Sequence, residues 1–310
     1  MQIVIGRFEK FVIAVLRAIG IEKQVRAALN SLRLRICGDH PALPRYFYHV
    51  PMDYGIDSHP PRFGDPVIRA GEPFPIPPPD CRPGYSPDDD NHYLEWGRSD
   101  HDEIVRVIEK HRGIHRDMAL LDFGCSSGRV LRHFWKEHKE LGWKLIGTDI
   151  QALLVEWMRR YFPREIEVMS AMALPHLPFR DSSIDVIYGI SVFTHTKYLW
   201  DMWLAEFKRV LKPGGLCIQT VQCETAWRFY HKNRALDWVQ RGHPMSMLEK
   251  PELDQDYFLY GDAGVSQQIF FKEEVIRRYW GRHMEVVDFL PPPKFSYQNW
   301  IVLKNEASRS

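Results

Sequence analysis

The chain has 310 residues, of which 45% are apolar and 26% charged, and its formal net charge is +1. This is the composition of an ordinary globular protein, and the length predicts one sizeable domain with an extension. A net charge near zero provides no overall field that would attract nucleic acid. The five cysteines form no C-x-x-C pair, so we expect reduced thiols in a cytoplasmic protein rather than a disulfide framework.

Residues 1–36 are predicted to form an amphipathic helical extension. Apolar side chains recur at helical spacing from Ile5 to Ile19, and seven basic residues against two acidic ones give this segment a net charge of +5. Such a helix can pack on the domain, mediate self-association with a second subunit, or lie on an anionic membrane surface. No apolar run in the chain approaches the roughly 18 residues that span a membrane.

Residues 37–94 are predicted to form an extended, proline-rich arm. Thirteen of the 22 prolines fall between positions 37 and 91, which excludes a run of helix or a central strand. Aromatic side chains recur from Tyr46 to Phe74, whereas disordered linkers are poor in such residues. We therefore expect the arm to wrap over the domain that follows.

Strands and helices alternate across residues 95–305, interrupted by an insert at 222–268. The predicted strands are Ala119–Phe123, Lys144–Asp149, Ile166–Met169, Ile184–Ile190, Leu216–Val221, Met284–Leu290 and Asn299–Leu303. The predicted helices are Glu103–His111, Val130–His138, Leu153–Tyr161, Trp200–Leu211 and Glu273–Trp280. This alternation indicates βαβ units and therefore a mostly parallel, doubly wound α/β sheet. The K-P-G-G turn at residues 212–215 is expected to end the fourth helix.

The turn after the first strand carries the strongest functional signal. Residues 122–128 read D-F-G-C-S-S-G, in which glycine permits a sharp turn and a close approach of ligand to the backbone. The helix start that follows offers unpaired N–H groups to an anion. Asp149, which ends the second strand, can accept both hydroxyl groups of a ribose. Together these features indicate a ligand that contains a nucleoside.

Three kinds of site compete for this turn. A dinucleotide site requires G-x-G-x-x-G, and the turn departs from it at two of the three glycines. The G-x-S-x-G elbow of serine hydrolases matches residues 124–128 literally, with Ser126 as the nucleophile, but no H-G-G-G run lies upstream to supply an oxyanion hole. The third pattern is the D-x-G-x-G-x-G loop of class I methyltransferases, with Ser126 in place of the middle glycine.

Three further segments resemble that family in the correct order. Residues 177–187 read L-P-F-R-D-S-S-I-D-V-I and resemble its L-P-F-x-D-x-S-F-D-V-V segment. Residues 191–195 read S-V-F-T-H and resemble its S-V-F-T-H-L segment, and residues 209–215 read R-V-L-K-P-G-G, its signature before strand five. Over about 200 residues the chain therefore resembles the class I, Rossmann-like S-adenosylmethionine-dependent methyltransferases.

The resemblance implies a seven-stranded Rossmann-like sheet and S-adenosylmethionine as cofactor, with S-adenosylhomocysteine as product. The implied cofactor-binding residues are Asp122, Gly124, Ser126, Gly128, Asp149, Ile150, Ala171, Met172 and Ser191. The turn would hold the methionine part, Asp149 the ribose, and Ile150 the adenine, with the backbone near Ala171 and Met172 at the adenine edge. Ser126 fits the turn if its φ angle is not strongly positive.

The acceptor is expected to be a small-molecule, sugar or glycan hydroxyl, methylated by in-line displacement. His195, just beyond the fourth strand, is the candidate base that removes the hydroxyl proton. Residues 295–303 are similar to the endings of bacterial methyltransferases found with glycan-building enzymes, which favours a sugar. A nucleic-acid acceptor is not expected, because no N-P-P-Y-type motif or basic-aromatic stripe is present.

In the insert, Trp227, Tyr230 and His231 either line a substrate pocket or pack the insert's own core. The 14 histidines show no metal-binding constellation, so no metal is expected. Two other functions remain open at this point. One is a non-catalytic, cofactor-binding module in an assembly, and the other is a serine hydrolase that uses Ser126.

Overall fold

The computed structural model describes residues 63, 66–82, 84, 89–196, 199–261, 268–293 and 296–306. The predicted helix over residues 1–36 and much of the predicted arm over residues 37–94 lie outside these ranges. Except for residues 178–180, the described residues belong to one compact unit that spans Tyr54–Leu177 and Asp181–Ser310. No helix among the described residues is long and apolar enough to cross a membrane.

Seven strands form one sheet in the order β3-β2-β1-β4-β5-β9-β8. They are β1 Ala119–Phe123, β2 Lys144–Asp149, β3 Ile166–Ser170, β4 Ile184–Gly189, β5 Leu211–Val221, β8 Glu285–Leu290 and β9 Asn299–Lys304. Strands β1 to β5 run parallel, and β9 runs antiparallel to both of its neighbours. The predicted seven-stranded, mostly parallel α/β sheet is therefore confirmed.

Helices connect the strands and build the insert. They are α1 Asp90–His111, α2 Trp135–Leu141, α3 Ala152–Tyr161, α4 Trp200–Val210, α5 Glu224–Lys232, α6 Asp237–Gly242, α7 Met245–Leu248 and α8 Glu273–Tyr279. The insert also holds β6 Tyr257–Tyr260, which pairs antiparallel with β7 Gln268–Phe271 in a separate two-stranded sheet.

Two predicted helix starts are wrong, and β5 begins at Leu211 rather than Leu216, so that residues 212–215 lie within the strand. The first helix begins at Asp90 rather than Glu103, because the side chain of Asp89 accepts the backbone N–H of His92 at 3.0 Å and caps the helix. Residues 90–94, which were assigned to the arm, are thus the first turn of α1. The predicted helix from Val130 starts instead as a short 3-10 turn, Leu131–Phe134, and becomes α-helical at Trp135.

The core lies around the central strands β1 and β4. Every residue of both strands is buried, which is expected for parallel strands that are covered on two faces. Ile104 and Ile108 of α1, together with Trp157 and Met158 of α3, belong to the same apolar cluster as the strands.

Buried arginines hold the described part of the arm against the domain. Arg132 is fully buried and donates to the backbone carbonyls of Phe74 and Pro75. Arg82 donates to the carbonyl of Pro77 at 2.7 Å and pairs with Asp90 of α1. A guanidinium in the interior has to be satisfied by hydrogen bonds, so these contacts fix the path of residues 74–82.

The strand order creates a ligand-binding crevice. Strand β1 lies between β2 and β4, so the chain leaves β1 toward one half of the sheet and later returns to fill the other half. In open parallel sheets, ligands bind beyond the carboxyl ends of the strands at such a switch point. The carboxyl ends here are Phe123, Asp149 and Gly189.

Candidate active site

The turn after β1 is anchored to the end of β2. The N–H groups of Gly124 and Cys125 both donate to the carbonyl of Thr148, at 2.7 and 3.0 Å. The N–H of Ser126 donates to Oδ2 of Asp149 at 2.7 Å. The glycine-rich turn and the acidic residue of the second strand, identified separately in the sequence, are therefore in direct contact.

Asp149 retains acceptor capacity toward a ligand. Its Oδ1 accepts the N–H of Gln151 at 2.8 Å, and its Oδ2 accepts that of Ser126. The backbone N–H of Ile150 is a third donor to this carboxylate, which has about four lone-pair sites, so acceptor capacity is left for a hydroxyl group. Burial raises the pKa of this carboxyl, and the backbone N–H groups that it accepts partly offset the rise.

Asp122 is a buried carboxyl with an unusual charge balance. Only 3% of its surface is exposed, and burial raises its pKa to about 7. The Tyr188 hydroxyl and the Arg129 guanidinium lower the pKa, whereas Asp149 and Asp100 raise it further. Burial therefore moves the titration of this carboxyl far above that of an exposed aspartate, toward neutral pH.

Gly124 has no room for a side chain. Its φ is +82°, and a Cβ atom there would lie 2.3 Å from Cγ2 of Val192, which follows β4. Ser126 also adopts a left-handed conformation, with φ at +51°. The serine therefore occupies the turn at a positive φ, and the hydrogen bond from its N–H to Asp149 holds this less favourable backbone in place.

Helix α1 packs on the far end of the same turn. The hydroxyl groups of Tyr93 and Ser127 lie 3.2 Å apart, and Arg129 forms a buried ion pair with Asp100 at 2.7 Å. A Cβ atom on Gly97 would lie 2.3 Å from the carbonyl oxygen of Arg129, so this glycine lets helix and turn approach closely. Gly128 also lies in this turn, with φ at +83°.

Exposed apolar side chains flank Asp149. Ile150 is 53% exposed and Met172 is 44% exposed, which is unusual for residues at the end of a buried sheet. The N–H of Ala171 donates to the carbonyl of Asp149 at 2.8 Å, so the segment after β3 lies beside the segment after β2. Together they provide an apolar surface next to a hydroxyl-binding carboxylate.

Ser191 and His195 follow β4 at the same edge. Ser191 has φ at +62°, and the 3-10 turn Phe193–His195 comes directly after it. The N–H of His195 donates to the carbonyl of Val192 at 2.9 Å, and its side chain is half-buried. The edge thus brings together the predicted cofactor residues and the candidate base.

A cleft of about 410 Å³ opens beyond β5 on this edge of the sheet. It is lined by residues that follow β5, residues at the end of β8, and the first residues of β9 and α8: Cys223, Glu224, Thr225, Arg228, Glu273, Phe289, Pro291 and Asn299. Strands β5 and β8 are both antiparallel to β9, so their carboxyl ends lie on one edge with those of β1, β2 and β4. Strand β5 is the direct neighbour of β4, so the cleft lies on the β4 side of this edge.

Two of the three predicted substrate residues, Trp227 and Tyr230, lie in the insert's core, and the third, His231, is half-buried. Trp227 and Tyr230 are each 1% exposed and pack with Val239, Leu248 and Phe270. The ring of His231 bonds through Nδ1 to the carbonyl of Leu248 at 2.8 Å. The helices of the insert are short, so these large side chains are needed to build its own apolar cluster. The residues that line the cleft, notably Glu224 and Asn299, carry no sequence motif and were not predicted.

Comparisons with known proteins agree with this geometry. Residues 121–219 match the methyltransferase-domain family. A probable tRNA methyltransferase 9B of Bos taurus is 36% identical over 117 residues, which are 37% of this chain and 22% of that protein. A probable S-adenosylmethionine-dependent methyltransferase of Mycolicibacterium smegmatis is 31% identical over 116 residues, 37% of this chain and 41% of that protein. Residues 121–219 therefore form a methyltransferase domain of the class I, S-adenosylmethionine-dependent kind.

The chain spans less than half the length of these two curated relatives. A solved S-adenosylmethionine-dependent methyltransferase of Methanosarcina mazei is 19% identical, with a TM-score of 0.46 over 65% of this chain and 98% of that one.

The cofactor of the methyltransferase domain is S-adenosylmethionine, and the residues present fit it. The free lone pairs of Asp149 suit the ribose hydroxyls, and the exposed Ile150 and Met172 provide an apolar surface for the adenine. The absence of a side chain at Gly124 keeps the turn close to Val192 and its backbone bare. Within the described residues, no group of three histidine, cysteine, aspartate or glutamate side chains could hold a metal ion.

Proposed function

We propose that this protein is an S-adenosylmethionine-dependent O-methyltransferase whose acceptor is a hydroxyl group of a sugar, a glycan or another small molecule. The observation that carries the proposal is the single sheet edge that joins Asp149, the glycine-rich turn and the cleft beyond β5. A cofactor site and a separate polar cleft on one edge are the two compartments that a group-transfer enzyme needs.

The cofactor, when bound, supplies a methyl group whose carbon–sulfur bond breaks as the acceptor oxygen bonds to that carbon. The residues of this chain orient the acceptor and receive its proton. We assign the role of proton-accepting base to His195. It follows β4, whose neighbours in the sheet are β1 and β5, and a histidine can accept a proton at neutral pH.

The chemistry of the cleft favours a polyhydroxylated acceptor. Glu224 accepts the N–H of Glu273 and has no cationic partner among the described residues. Asn299 is 5% exposed, and no described residue bonds to its Oδ1. Phe289 adds an apolar wall. Acceptor groups beside an aromatic ring suit a molecule with several hydroxyl donors and an apolar face.

Methyl-transfer assays with purified protein test the proposal. Labelled S-adenosylmethionine is supplied with a panel of monosaccharides, oligosaccharides and small alcohols, and S-adenosylhomocysteine binding is measured by calorimetry on the same preparation. We expect cofactor binding and transfer to at least one polyhydroxylated acceptor. His195→Ala should keep the cofactor affinity and lose at least about a hundredfold in turnover. Unchanged turnover would remove His195 from the mechanism.

A tRNA acceptor is the second candidate, because the relatives from three mammals are named as tRNA methyltransferases. Bulk tRNA therefore belongs in the same panel, and transfer to tRNA alone would overturn the small-molecule proposal. A serine hydrolase is disfavoured, since none of the described histidines bonds to Ser126 and its N–H is committed to Asp149. Cofactor binding without transfer to any member of the panel would favour the non-catalytic module.

A further inference from the structure

Three hydrogen bonds form a closed ring between three neighbouring strands at the cofactor edge. The backbone N–H of Ser191, after β4, donates to Oγ1 of Thr220 on β5 at 2.6 Å. The Thr220 hydroxyl donates to Oε1 of Gln298, just before β9, at 2.7 Å. Nε2 of Gln298 completes the ring by donating to Oγ of Ser191 at 2.8 Å. Thr220 and Gln298 are buried, with 2% and 7% of their surface exposed.

The hydrogen bonds of the ring leave the hydroxyl hydrogen of Ser191 available to a ligand. Thr220 both accepts and donates within it, and Gln298 uses its amide oxygen and one of its N–H groups. The carbonyl of Ser191 accepts the hydroxyl of Thr194 at 2.9 Å. Because Ser191 Oγ receives its hydrogen bond, the hydroxyl proton of Ser191 has no acceptor among the described residues. Ser191 is therefore left as a hydrogen-bond donor.

Ser191 lies beside the cofactor turn. Its neighbour Val192 packs against Gly124 so tightly that a Cβ atom on the glycine would lie 2.3 Å from the valine Cγ2. The φ of Ser191 is +62°, a conformation that costs a serine about 1 kcal/mol or more. Two of the ring's three hydrogen bonds are made by Ser191, so the ring stabilises this conformation.

We propose that Thr220 and Gln298 are positioning residues that hold Ser191 as a hydrogen-bond donor to the bound cofactor. The inference rests on the proposed function, since it requires that the site binds S-adenosylmethionine. It assigns a role to two residues that are outside every cofactor motif. Gln298 reaches the site only because β9 is antiparallel to β5, so the start of β9 lies at the carboxyl end of β5.

The substitution Gln298→Glu tests whether residue 298 must donate a hydrogen bond to Ser191 Oγ. An ionised carboxylate cannot donate to Ser191 Oγ, so the serine hydroxyl turns to donate to it and is lost to the cofactor. We expect the affinity for S-adenosylhomocysteine, measured by calorimetry at neutral pH, to fall roughly tenfold. In mild acid the introduced carboxyl group becomes protonated and can donate again, so the affinity should recover toward the wild-type value at the same pH.

The variant-to-wild-type ratio of affinities at each pH is the quantity compared. Asp122, Asp149 and His195, the titratable groups of the same edge, are present in both proteins, so their contribution cancels. Gln222→Glu is the matched control, because Gln222 is a buried glutamine at the end of β5 that bonds to Gln268 instead of the ring. For Gln222→Glu we expect the ratio of variant to wild-type affinity to be the same in mild acid as at neutral pH.

A second pair of variants separates positioning from folding. Thr220→Ser keeps the hydroxyl and should keep the affinity, whereas Thr220→Val keeps the shape, breaks two bonds of the ring and should lose about tenfold. Equal affinities for this pair, or a Gln298→Glu ratio that does not change with pH, would overturn the inference. Wild-type protein that binds no S-adenosylhomocysteine would instead overturn the proposed function.

Discussion

The backbone N–H of Ser126 donates to the carboxylate of Asp149 at 2.7 Å, and this bond joins the two halves of the cofactor site. The bond holds Ser126 at a positive φ, and the carboxylate keeps acceptor capacity for the proposed contact with a ribose hydroxyl. Loss of the Asp149 side chain therefore removes a ligand contact and releases the turn.

Asp149→Ala is expected to weaken S-adenosylhomocysteine binding by about a hundredfold or more, the equivalent of two hydrogen bonds to a charged group. Asp149→Asn retains Oδ1 as an acceptor and should lose less. Calorimetry with wild type and both variants measures the difference, and NAD serves as a ligand that should bind to none of them. Asp237→Ala, at an exposed position in the insert, is the control. Binding of Asp149→Ala within threefold of wild type would contradict the assignment.

Asp122 should make the stability of the protein depend on pH. Its folded pKa of about 7 lies above the unfolded value of about 4, so the folded state holds the proton more tightly. The free energy of unfolding should therefore fall as the pH rises from about 4 to about 7 and then level off.

Asp122→Asn removes the charge and keeps the shape, so this part of the pH dependence should disappear. We expect the variant to have a Tm a few degrees above that of wild type at about pH 8, and a smaller difference at about pH 5. Thermal unfolding followed by circular dichroism at both pH values measures this. A Tm difference that is the same at both would show that Asp122 is ionised across the whole range.

Gly124→Ala separates a steric clash from backbone strain. The new methyl group would lie 2.3 Å from Val192 Cγ2, and the φ of +82° adds its own cost. Gly71→Ala is the matched control, because Gly71 has φ at +86° with nothing within 4 Å of the added atom. We expect a loss in the free energy of unfolding of about 1–2 kcal/mol for the control and about 2–5 kcal/mol for Gly124→Ala. Denaturant unfolding checks both, and equal losses would mean that Val192 moves aside freely.

The cofactor half of the site could be predicted from sequence because its signals are local. The strand bounds Ala119–Phe123 and Lys144–Asp149 are as expected, and they alone place the turn beside Asp149. The rest of the site depends on contacts between distant segments. Gln298 meets Ser191 across 107 positions, and Asn299 meets residues after β5, only because β9 reverses direction. No periodicity in residues 284–303 reveals that reversal.

Local sequence patterns did not predict features that depend on tertiary packing. Trp227 and Tyr230 suggested a pocket as much as a core, and the pairing of the short helices with β6 and β7 buries both. A serine ordinarily avoids a positive φ, yet the hydrogen bond to Asp149 holds Ser126 there. In each case a tertiary contact outweighs the intrinsic preference of the residue.

Substitutions of Glu224, in the cleft beyond β5, test which class of acceptor binds there. Glu224→Gln keeps one oxygen that can accept a hydrogen bond from a hydroxyl group but removes the negative charge. The KM for a polyhydroxylated acceptor should therefore rise only a few-fold. Glu224→Ala removes the acceptor oxygens and should raise KM by about tenfold, with the affinity for S-adenosylhomocysteine unchanged. Glu249→Ala, at an exposed glutamate of the same insert, is the control. A tenfold or larger rise in KM for Glu224→Gln would contradict a contact through one acceptor oxygen. It would indicate instead that the cleft needs the negative charge or both carboxylate oxygens, as a cationic group does.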